Sequence, residues 1–416
     1  MFLAAAIAAG LMIPMSGMAA DGVLEGLNVQ DTAKLVNFEF DKATTEYDIE
    51  VFADVYGVLF TPEVAEGEIE VSVEGLDADL ALYEDTNLGF NNPEASKLPG
   101  STSLTVKPGE RFELSLTEAR EANISAQDEN MKKRAMEDDQ DYKVTIATAD
   151  QTYTINIHRP GTDEVVSKFQ KLTWAVPDGS GKEMYYMLYV PEDYDESKAY
   201  PLLLAPHGSG QRVNEPEDIL IRVAQATAPV YYGKEVIIIA PQCNYTTFEL
   251  TDNENTWCDA DTLELSPFGK GTMEIVEDVI ANYNIDMSRI YCAGASMGGA
   301  GTIGFIGNAP ELFAGGWICC QSRISDEGVK VLVDRIKDQE MALTVIYSKQ
   351  DSEGANLGGE RLIREFDAAG IAYDKMIYDD AEYDYLRPTN HFSWVPFFDN
   401  EANIDKLFSF SKPIAE

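Results

Sequence analysis

RIYCAGASMGGAGTIGFIG, residues 289–307, changes character at its centre. The run 289–293, apolar after Arg289, predicts a strand, whereas 297–307 is typical of a helix. Between them Gly294, Ser296 and Gly298 form the pattern G-x-S-x-G. A sharp strand-to-helix turn holds such a serine in a strained conformation and leaves no room for larger neighbours. The stretch therefore predicts Ser296 as a nucleophile at the end of a strand.

The chain around this turn alternates between apolar runs and helical stretches. Seven runs are predicted as strands: 184–190, 202–206, 236–241, 289–294, 315–320, 343–347 and 375–378. Five stretches are predicted as helices: 217–226, 272–283, 297–307, 326–337 and 359–369. Near-continuous apolar strands that alternate with helices indicate a mostly parallel sheet covered on both faces. We therefore predict an α/β domain over residues 168–416.

A serine hydroxyl needs a general base, and the chain contains three histidines. His158 ends a predicted strand in the N-terminal half, and His207 lies in a glycine turn directly after the strand at 202–206. His391 lies in a loop after the last predicted strand, which is where this type of fold carries its base. We predict His391 as the base, the alternative being an ordinary surface histidine.

The base in turn needs a carboxylate that fixes its tautomer. Asp351 follows the predicted strand at 343–347 directly, at the sheet edge where catalytic groups gather. The other aspartates between Ser296 and His391 remain alternatives: Asp326, Asp334, Asp338, Asp374, Asp379, Asp380 and Asp384. Asp351 is the preferred partner of His391, because the first three belong to a polar helix and the others lie in acid-rich sequence.

An oxyanion hole needs two backbone N–H groups that point at the same oxygen. One is predicted from Met297, at the N-terminus of its helix. The other is predicted from the turn His207-Gly208-Ser209-Gly210, where the amide of Ser209 is the expected donor. The alternative for this turn is an ordinary glycine turn.

The N-terminal half has a different texture, with short strand patterns separated by turns and no catalytic motif. The runs 142–147 and 152–158 flank the turn 149–151, and the second run alternates with period two. This pattern predicts a hairpin with one buried face. The strand spacing predicts an all-β sandwich over residues 21–162, which a charged insertion at 118–140 interrupts.

Composition limits the classes of partner. The chain has 45% hydrophobic and 25% charged residues, which is ordinary for a globular protein. The formal net charge of −41 is extreme and repels phosphate backbones and anionic lipid headgroups, so we expect no nucleic-acid partner. Such acidity suits an extracellular protein that must stay soluble, although a saline habitat or cation binding would also explain it.

Two features concern the cellular compartment. Residues 1–20 carry no charge, are mostly apolar and end in small residues, which is typical of a secretory signal peptide, with an uncleaved anchor helix as the alternative. We therefore expect a secreted protein without membrane insertion after cleavage. Among the five cysteines, Cys243 and Cys258 lie in polar sequence and either pair under oxidising conditions or stay reduced.

Six motifs carry a resemblance to known enzymes: YVPEDY (189–194), PLLLAPHG (201–208), APQC (240–243), YNIDMSRIY (283–291), GASMGGAGT (294–302) and HFSW (391–394). Together they resemble bacterial feruloyl esterases, acetyl-xylan esterases and polyhydroxybutyrate depolymerases, and the related predicted peptidases of prolyl-oligopeptidase-like type. The N-terminal half loosely resembles cadherin-like or immunoglobulin-like modules. The chain departs from the pattern at Ala205-Pro206 and at Ser348-Lys349-Gln350, where leucine and a His-Gly pair are more usual.

The resemblance implies an α/β-hydrolase fold with a triad of Ser296, Asp351 and His391. It implies a carboxylic-ester hydrolase that acts through an acyl-enzyme on carbohydrate-linked acyl or aryl esters or on polyesters, and it requires no metal or organic cofactor. Candidate substrate contacts are His207, Trp257 and Trp394. The alternatives are a serine peptidase of prolyl-oligopeptidase-like type and a non-catalytic surface adhesion protein.

Overall fold

The computed structural model describes residues 20–31, 38–51, 57–75, 78–83, 101–115, 139–159, 164–209, 218–221, 224–243, 256–351, 354–378, 391, 393–398 and 400–413. The predicted signal peptide, apart from Ala20, and residues 118–138 of the predicted insertion lie outside this part of the chain. So do Gly210, Asp379, Asp380 and Asp384.

The C-terminal half is built on one eight-stranded sheet. Its strands, in chain order, are β10 (Gln170–Ala175), β11 (Glu183–Tyr189), β12 (Tyr200–Leu204), β13 (Ile237–Pro241), β14 (Ile285–Ala295), β15 (Gly315–Cys319), β16 (Ala342–Ser348) and β17 (Asp374–Tyr378). The spatial order is β10-β11-β13-β12-β14-β15-β16-β17. Strands β12 to β17 are parallel, and β10 and β11 pair antiparallel at one edge. The predicted, mostly parallel sheet is confirmed.

Both faces of this sheet are buried. Successive side chains of a strand point to opposite sides, so each strand supplies residues to both faces. In β12, Leu202 and Leu204 belong to one hydrophobic cluster and Leu203 belongs to the other. All five residues of the strand are buried. This is why the parallel strands read as continuous apolar runs rather than as alternating ones.

Nine helices are described in this half: α1 (Glu164–Ser167), α2 (Asp218–Ile221), α3 (Ala224–Tyr231), α4 (Pro267–Asn282), α5 (Met297–Asn308), α6 (Asp326–Ile336), α7 (Ala355–Ala369), α8 (Trp394–Phe398) and α9 (Glu401–Phe408). Helices α4 to α7 supply residues to the first cluster. Helices α1 to α3, α8 and α9 supply residues to the second. None of the described helices is long and apolar enough to cross a membrane.

Several predicted bounds were wrong. The stretch 217–226 contains the whole of the short helix α2 and the start of α3, and the strand β10 was not predicted at all. Helix α7 begins at Ala355 rather than at Gly359, although glycine disfavours helix. Tertiary packing explains why glycines occupy this part of the helix: a Cβ at Gly358 would lie 2.0 Å from the Gln321 carbonyl oxygen, and one at Gly359 would lie 2.2 Å from the Tyr347 ring.

The N-terminal half contains two smaller sheets. The first consists of β1 (Val23–Asp31), β3 (Gly57–Glu66), β5 (Asp79–Leu82) and β7 (Phe112–Ser115). The second consists of β2 (Glu46–Glu50), β4 (Ile69–Glu74), β6 (Ser103–Val106), β8 (Gln140–Ala147) and β9 (Thr152–Arg159). The predicted hairpin is present as β8 and β9, and both sheets contribute to one hydrophobic cluster. An immunoglobulin-like or cadherin-like sandwich, and the domain limits 21–162 and 168–416, stay predictions.

The predicted option of a Cys243–Cys258 disulfide is wrong, because all five cysteines are buried and none of them forms a disulfide. The Cys258 thiol lies 3.6 Å from the Ala300 carbonyl oxygen, and the Cys243 thiol lies 3.9 Å from that of Thr256. Burial, with a smaller contribution from the charge of Asp259, raises the pKa of Cys258 to about 12. This thiol is therefore a packed, protonated group rather than half of a bridge.

Trp317 tests the packing of the second cluster. It is 1% exposed on β15, and its ring meets those of Phe398 and Phe408 at centroid distances of 5.3 and 5.9 Å. We expect Trp317→Ala to lower the free energy of unfolding by about 3–5 kcal/mol, because the cavity cannot collapse among fixed rings. Denaturant titration followed by circular dichroism measures this loss. Leu357→Ala, at a position 60% exposed on α7, is the control and should change stability by less than about 0.5 kcal/mol.

Candidate active site

Ser296 occupies a sharp turn between β14 and α5. Its backbone has φ 58° and ψ −118°, a conformation that non-glycine residues rarely adopt. The turn is fixed from both sides, since the Ser296 N–H donates to the Cys319 carbonyl oxygen at 3.0 Å and the Ala300 N–H donates to that of Ser296 at 3.1 Å. The half-buried side chain makes no capping hydrogen bond with the helix. The turn therefore places the Ser296 hydroxyl at the end of β14, where it does not cap the N-terminus of α5.

The glycines around Ser296 are required by close backbone contacts. A Cβ on Gly294 would lie 2.2 Å from the Gly298 carbonyl oxygen, and one on Gly298 would lie 2.1 Å from the Pro206 carbonyl oxygen. A Cβ on Gly299 would lie 2.4 Å from the Cys319 carbonyl oxygen. The G-x-S-x-G pattern thus has a direct cause here, because α5 begins against the backbone of two neighbouring strand ends.

The predicted pair of His391 and Asp351 is brought together. The His391 Nδ1 lies 2.8 Å from Asp351 Oδ2, with the Asp351 side chain fully buried and the His391 side chain 10% exposed. Trp394 packs edge-on against the His391 ring at a centroid distance of 5.8 Å. A buried carboxylate at this distance fixes the imidazole tautomer with the proton on Nδ1, which leaves Nε2 as the basic nitrogen.

The described competing aspartates, Asp326, Asp334, Asp338 and Asp374, are solvent-exposed, and three of them form ion pairs away from His391. Asp326 pairs with Arg361 and Arg364, Asp334 pairs with Lys337, and Asp374 pairs with Lys406. Ser296 and Asp351 follow β14 and β16, which flank β15, so both lie at the same carboxyl edge of the sheet. Cys320, which follows β15 between them, is fully buried; burial raises the pKa of its thiol, and Cys319 and Asp351 raise it further. The thiol beside this site therefore stays protonated.

The loop after β12 is tied down through three consecutive carbonyl groups. Gln225 Nε2 donates to the Pro206 oxygen at 3.3 Å, and Trp257 Nε1 donates to the His207 oxygen at 3.1 Å. The Gly208 oxygen lies 2.6 Å from Nδ1 of His207. The Cys243 N–H donates to His207 Nε2 at 2.9 Å, so the imidazole proton must lie on Nδ1, which donates to Gly208.

Two of the three predicted substrate contacts are wrong. His207 is 0% exposed and Trp257 is 1% exposed, so both rings belong to the interior beneath the loop of residues 206–209. The ring nitrogens of both residues hydrogen-bond to the backbone atoms described above. The two rings therefore support the loop and do not contact a substrate. Trp394 is 6% exposed and its ring contacts that of His391, and its role as a substrate contact stays a prediction.

The two predicted oxyanion donors lie at this same edge. Met297 is the first residue of α5, where backbone N–H groups have no partner within the helix. Ser209 follows the tied loop, and its Oγ accepts a hydrogen bond from Arg323 Nη2 at 3.0 Å. Arg323 was not predicted as a residue of this site. The sequence feature that points to it is an arginine shortly after a predicted strand, at the carboxyl edge of the sheet. Such a cation stands out in a chain with 31 Lys plus Arg against 72 Asp plus Glu.

Gly298 offers a test of the close approach. We expect Gly298→Ala to lower the free energy of unfolding by about 1–3 kcal/mol, because the new methyl group meets a backbone oxygen that is itself hydrogen-bonded. Denaturant titration measures the loss. Gly307→Ala in the same helix is the matched control: its Cβ meets flexible side-chain ends, at 3.1 Å or more, so it should be neutral or stabilising. Equal losses for both variants would contradict the explanation.

No protein-family model and no curated protein sequence matches this chain. Solved structures do match. The crystal structure of a thermostable esterase has 20% identity and a TM-score of 0.53, over 88% of this chain and 99% of that one. A ferulic acid esterase has 15% identity and a TM-score of 0.39, over 55% and 99%. A putative dipeptidyl aminopeptidase IV from Bacteroides ovatus has 17% identity and a TM-score of 0.44, over 65% and 41%.

An identity of 20% with the thermostable esterase is evidence of a shared fold and of nothing finer. The strand order of the large sheet, with an antiparallel pair at one edge, agrees with that likeness. The C-terminal half of this chain has an α/β-hydrolase fold.

Proposed function

We propose that this protein is a serine hydrolase that cleaves carboxylic esters. The observation that carries the proposal is the buried His391–Asp351 pair, joined at 2.8 Å, at the same sheet edge as the strained turn of Ser296. A nucleophile, a base and a buried carboxylate brought together from separate parts of the chain are the components that acyl transfer needs. The thermostable esterase of similar fold is named for the same reaction class, and that activity is carried over only as part of this proposal.

In the first half-reaction Ser296 Oγ attacks the ester carbonyl carbon while His391 Nε2 takes the hydroxyl proton. The imidazolium that forms is stabilised by the Asp351 carboxylate on Nδ1–H. Collapse of the tetrahedral intermediate releases the alcohol, which receives the proton from His391, and leaves an acyl-enzyme. Water, activated by the same base, then releases the acid and regenerates Ser296.

The developing negative oxygen is stabilised by the backbone N–H groups of Met297 and Ser209. The carbonyl oxygens of residues 206–208 are each held by a side chain, so the loop cannot rotate its peptide groups freely. Donors that are fixed before the reaction need no reorganisation as the charge develops, and this lowers the barrier.

The substrate class is proposed as neutral esters, namely acyl or aryl groups linked to carbohydrate, or polyesters. The net charge of −41 disfavours strongly anionic substrates, and the motif resemblance points to carbohydrate-linked and polymeric esters. The uncharged apolar segment at 1–20 supports export from a bacterial cell, and extracellular esters suit that location.

Ester turnover is the first prediction to test. We expect the protein to hydrolyse at least one of p-nitrophenyl acetate, p-nitrophenyl butyrate and methyl ferulate, and Ser296→Ala to abolish that turnover. A chromogenic proline peptide should remain uncleaved. Peptide turnover without ester turnover would favour the peptidase alternative. No turnover of any of the four substrates by the folded protein would favour the adhesion protein.

A further prediction concerns the carboxylate of Asp351. Asp351→Asn should lower kcat by about 10³- to 10⁴-fold, because an amide that donates to Nδ1 stabilises the wrong imidazole tautomer. Steady-state kinetics on the best ester measures the effect. Asp334→Asn removes a carboxylate that is 76% exposed and paired with Lys337, and it should leave kcat unchanged. A fall of less than tenfold for Asp351→Asn would assign the role of Asp351 to another carboxylate.

A further inference from the structure

Arg323 joins two loops across the end of the strand that carries Ser296. The strand order places β14 between β12 and β15. Ser209 belongs to the loop after β12, and Arg323 belongs to the loop after β15. Their hydrogen bond, from Nη2 to Oγ at 3.0 Å, therefore spans the carboxyl end of β14. Adjacent strands lie about 4.8 Å apart, so the contact reaches over roughly two strand spacings at the position of the nucleophile.

The Arg323 end of this contact is anchored. In the same loop Gln321 is 2% exposed, its Oε1 accepts the Ile324 N–H at 3.1 Å, and its Nε2 donates to the Gly358 carbonyl oxygen at 3.1 Å. Arg361 donates to the carbonyl oxygen of Ile324. Gln321 and Ile324, on either side of Arg323, are thus both bound to α7, which holds the segment that carries Arg323.

The Ser209 end is held through the residues that precede it and through its own side chain. The carbonyl oxygens of residues 206–208 are bound by Gln225, Trp257 and His207, which fixes the chain up to Ser209. The side chain of Ser209 is linked by Arg323 to the loop after another strand. A bond to a charged donor is stronger than a neutral one, so it restricts the orientation of this residue more firmly.

We propose that Arg323 is a positioning residue of the oxyanion hole, which holds Ser209 so that its backbone N–H faces the carbonyl oxygen of the substrate. The inference rests on the proposed ester hydrolysis and names a further residue of that site. Arg323 acts through Ser209 and not through the ester itself.

The experiment compares Arg323→Met, Arg323→Lys, Ser209→Ala and the double variant Arg323→Met/Ser209→Ala. We expect Arg323→Met to lower kcat about tenfold, with KM within about twofold of wild type. Arg323→Lys should recover part of the loss, since a lysine keeps one charged donor. The double variant should be no slower than the slower of its two parents, because both substitutions break the same hydrogen bond.

Arg289→Met is the matched control. It removes the same charge, but Arg289 pairs with Asp286 toward the amino end of β14, far from the carboxyl edge, so the variant should leave kcat unchanged. Melting temperatures of all variants show that each one is folded. The rate at which a fluorophosphonate labels Ser296 provides a second readout, because the phosphoryl oxygen occupies the oxyanion hole while fluoride leaves; Arg323→Met should slow it to a similar degree.

Three results would overturn the inference: wild-type kinetics in folded Arg323→Met, a rise in KM with kcat unchanged, and additive losses in the double variant. A rise in KM would mean that Arg323 binds the substrate directly. Failure of the proposed function looks different, since the wild-type protein would then neither hydrolyse an ester nor react with the fluorophosphonate. Wild-type turnover with an unaffected Arg323→Met variant rejects the role of Arg323 alone.

Discussion

At Gly298 the first turn of α5 lies against the Pro206 carbonyl oxygen, so closely that a Cβ would stand 2.1 Å from it. This approach brings the loop after β12 to the N-terminus of the helix that follows Ser296. The left-handed backbone of Ser296, the contact of Gly294 with Gly298 and the position of the loop of residues 206–209 are parts of one arrangement. Strain at one residue is maintained because the surrounding sheet over-determines its conformation.

Beneath that loop, polar side chains serve the backbone rather than a ligand. His207 is held as a neutral imidazole by one N–H donor and one carbonyl acceptor, and the Trp257 indole donates to the carbonyl of His207 itself. Buried polar groups must find partners, and here their partners are the loop carbonyls. The consequence for chemistry is rigidity, since an oxyanion hole works by being in place before the charge develops.

Charge is distributed unequally between surface and site. The chain has a net charge of −41, and many of its ion pairs, such as that of Asp334 with Lys337, are exposed and contribute little stability. At the carboxyl edge of the large sheet the pattern differs: Asp351 is buried against His391, and Arg323 bridges to Ser209. A cation near the site counteracts, over a short range, the negative field that the rest of the protein produces.

The sequence by itself determined the α/β pattern, the turn at Ser296 and the choice of His391, because apolar periodicity and the scarcity of histidines leave few alternatives. It also singled out Asp351, which the structure joins to His391. It could not determine that Cys243 and Cys258 stay outside a disulfide, that the helix containing Gly359 begins as early as Ala355, or that His207 and Trp257 support the loop. Each of these features depends on which backbone atoms, far away in the sequence, a side chain contacts in the folded protein. Burial and hydrogen-bond partners arise from contacts between strand ends far apart in the chain, and only the tertiary structure brings these together.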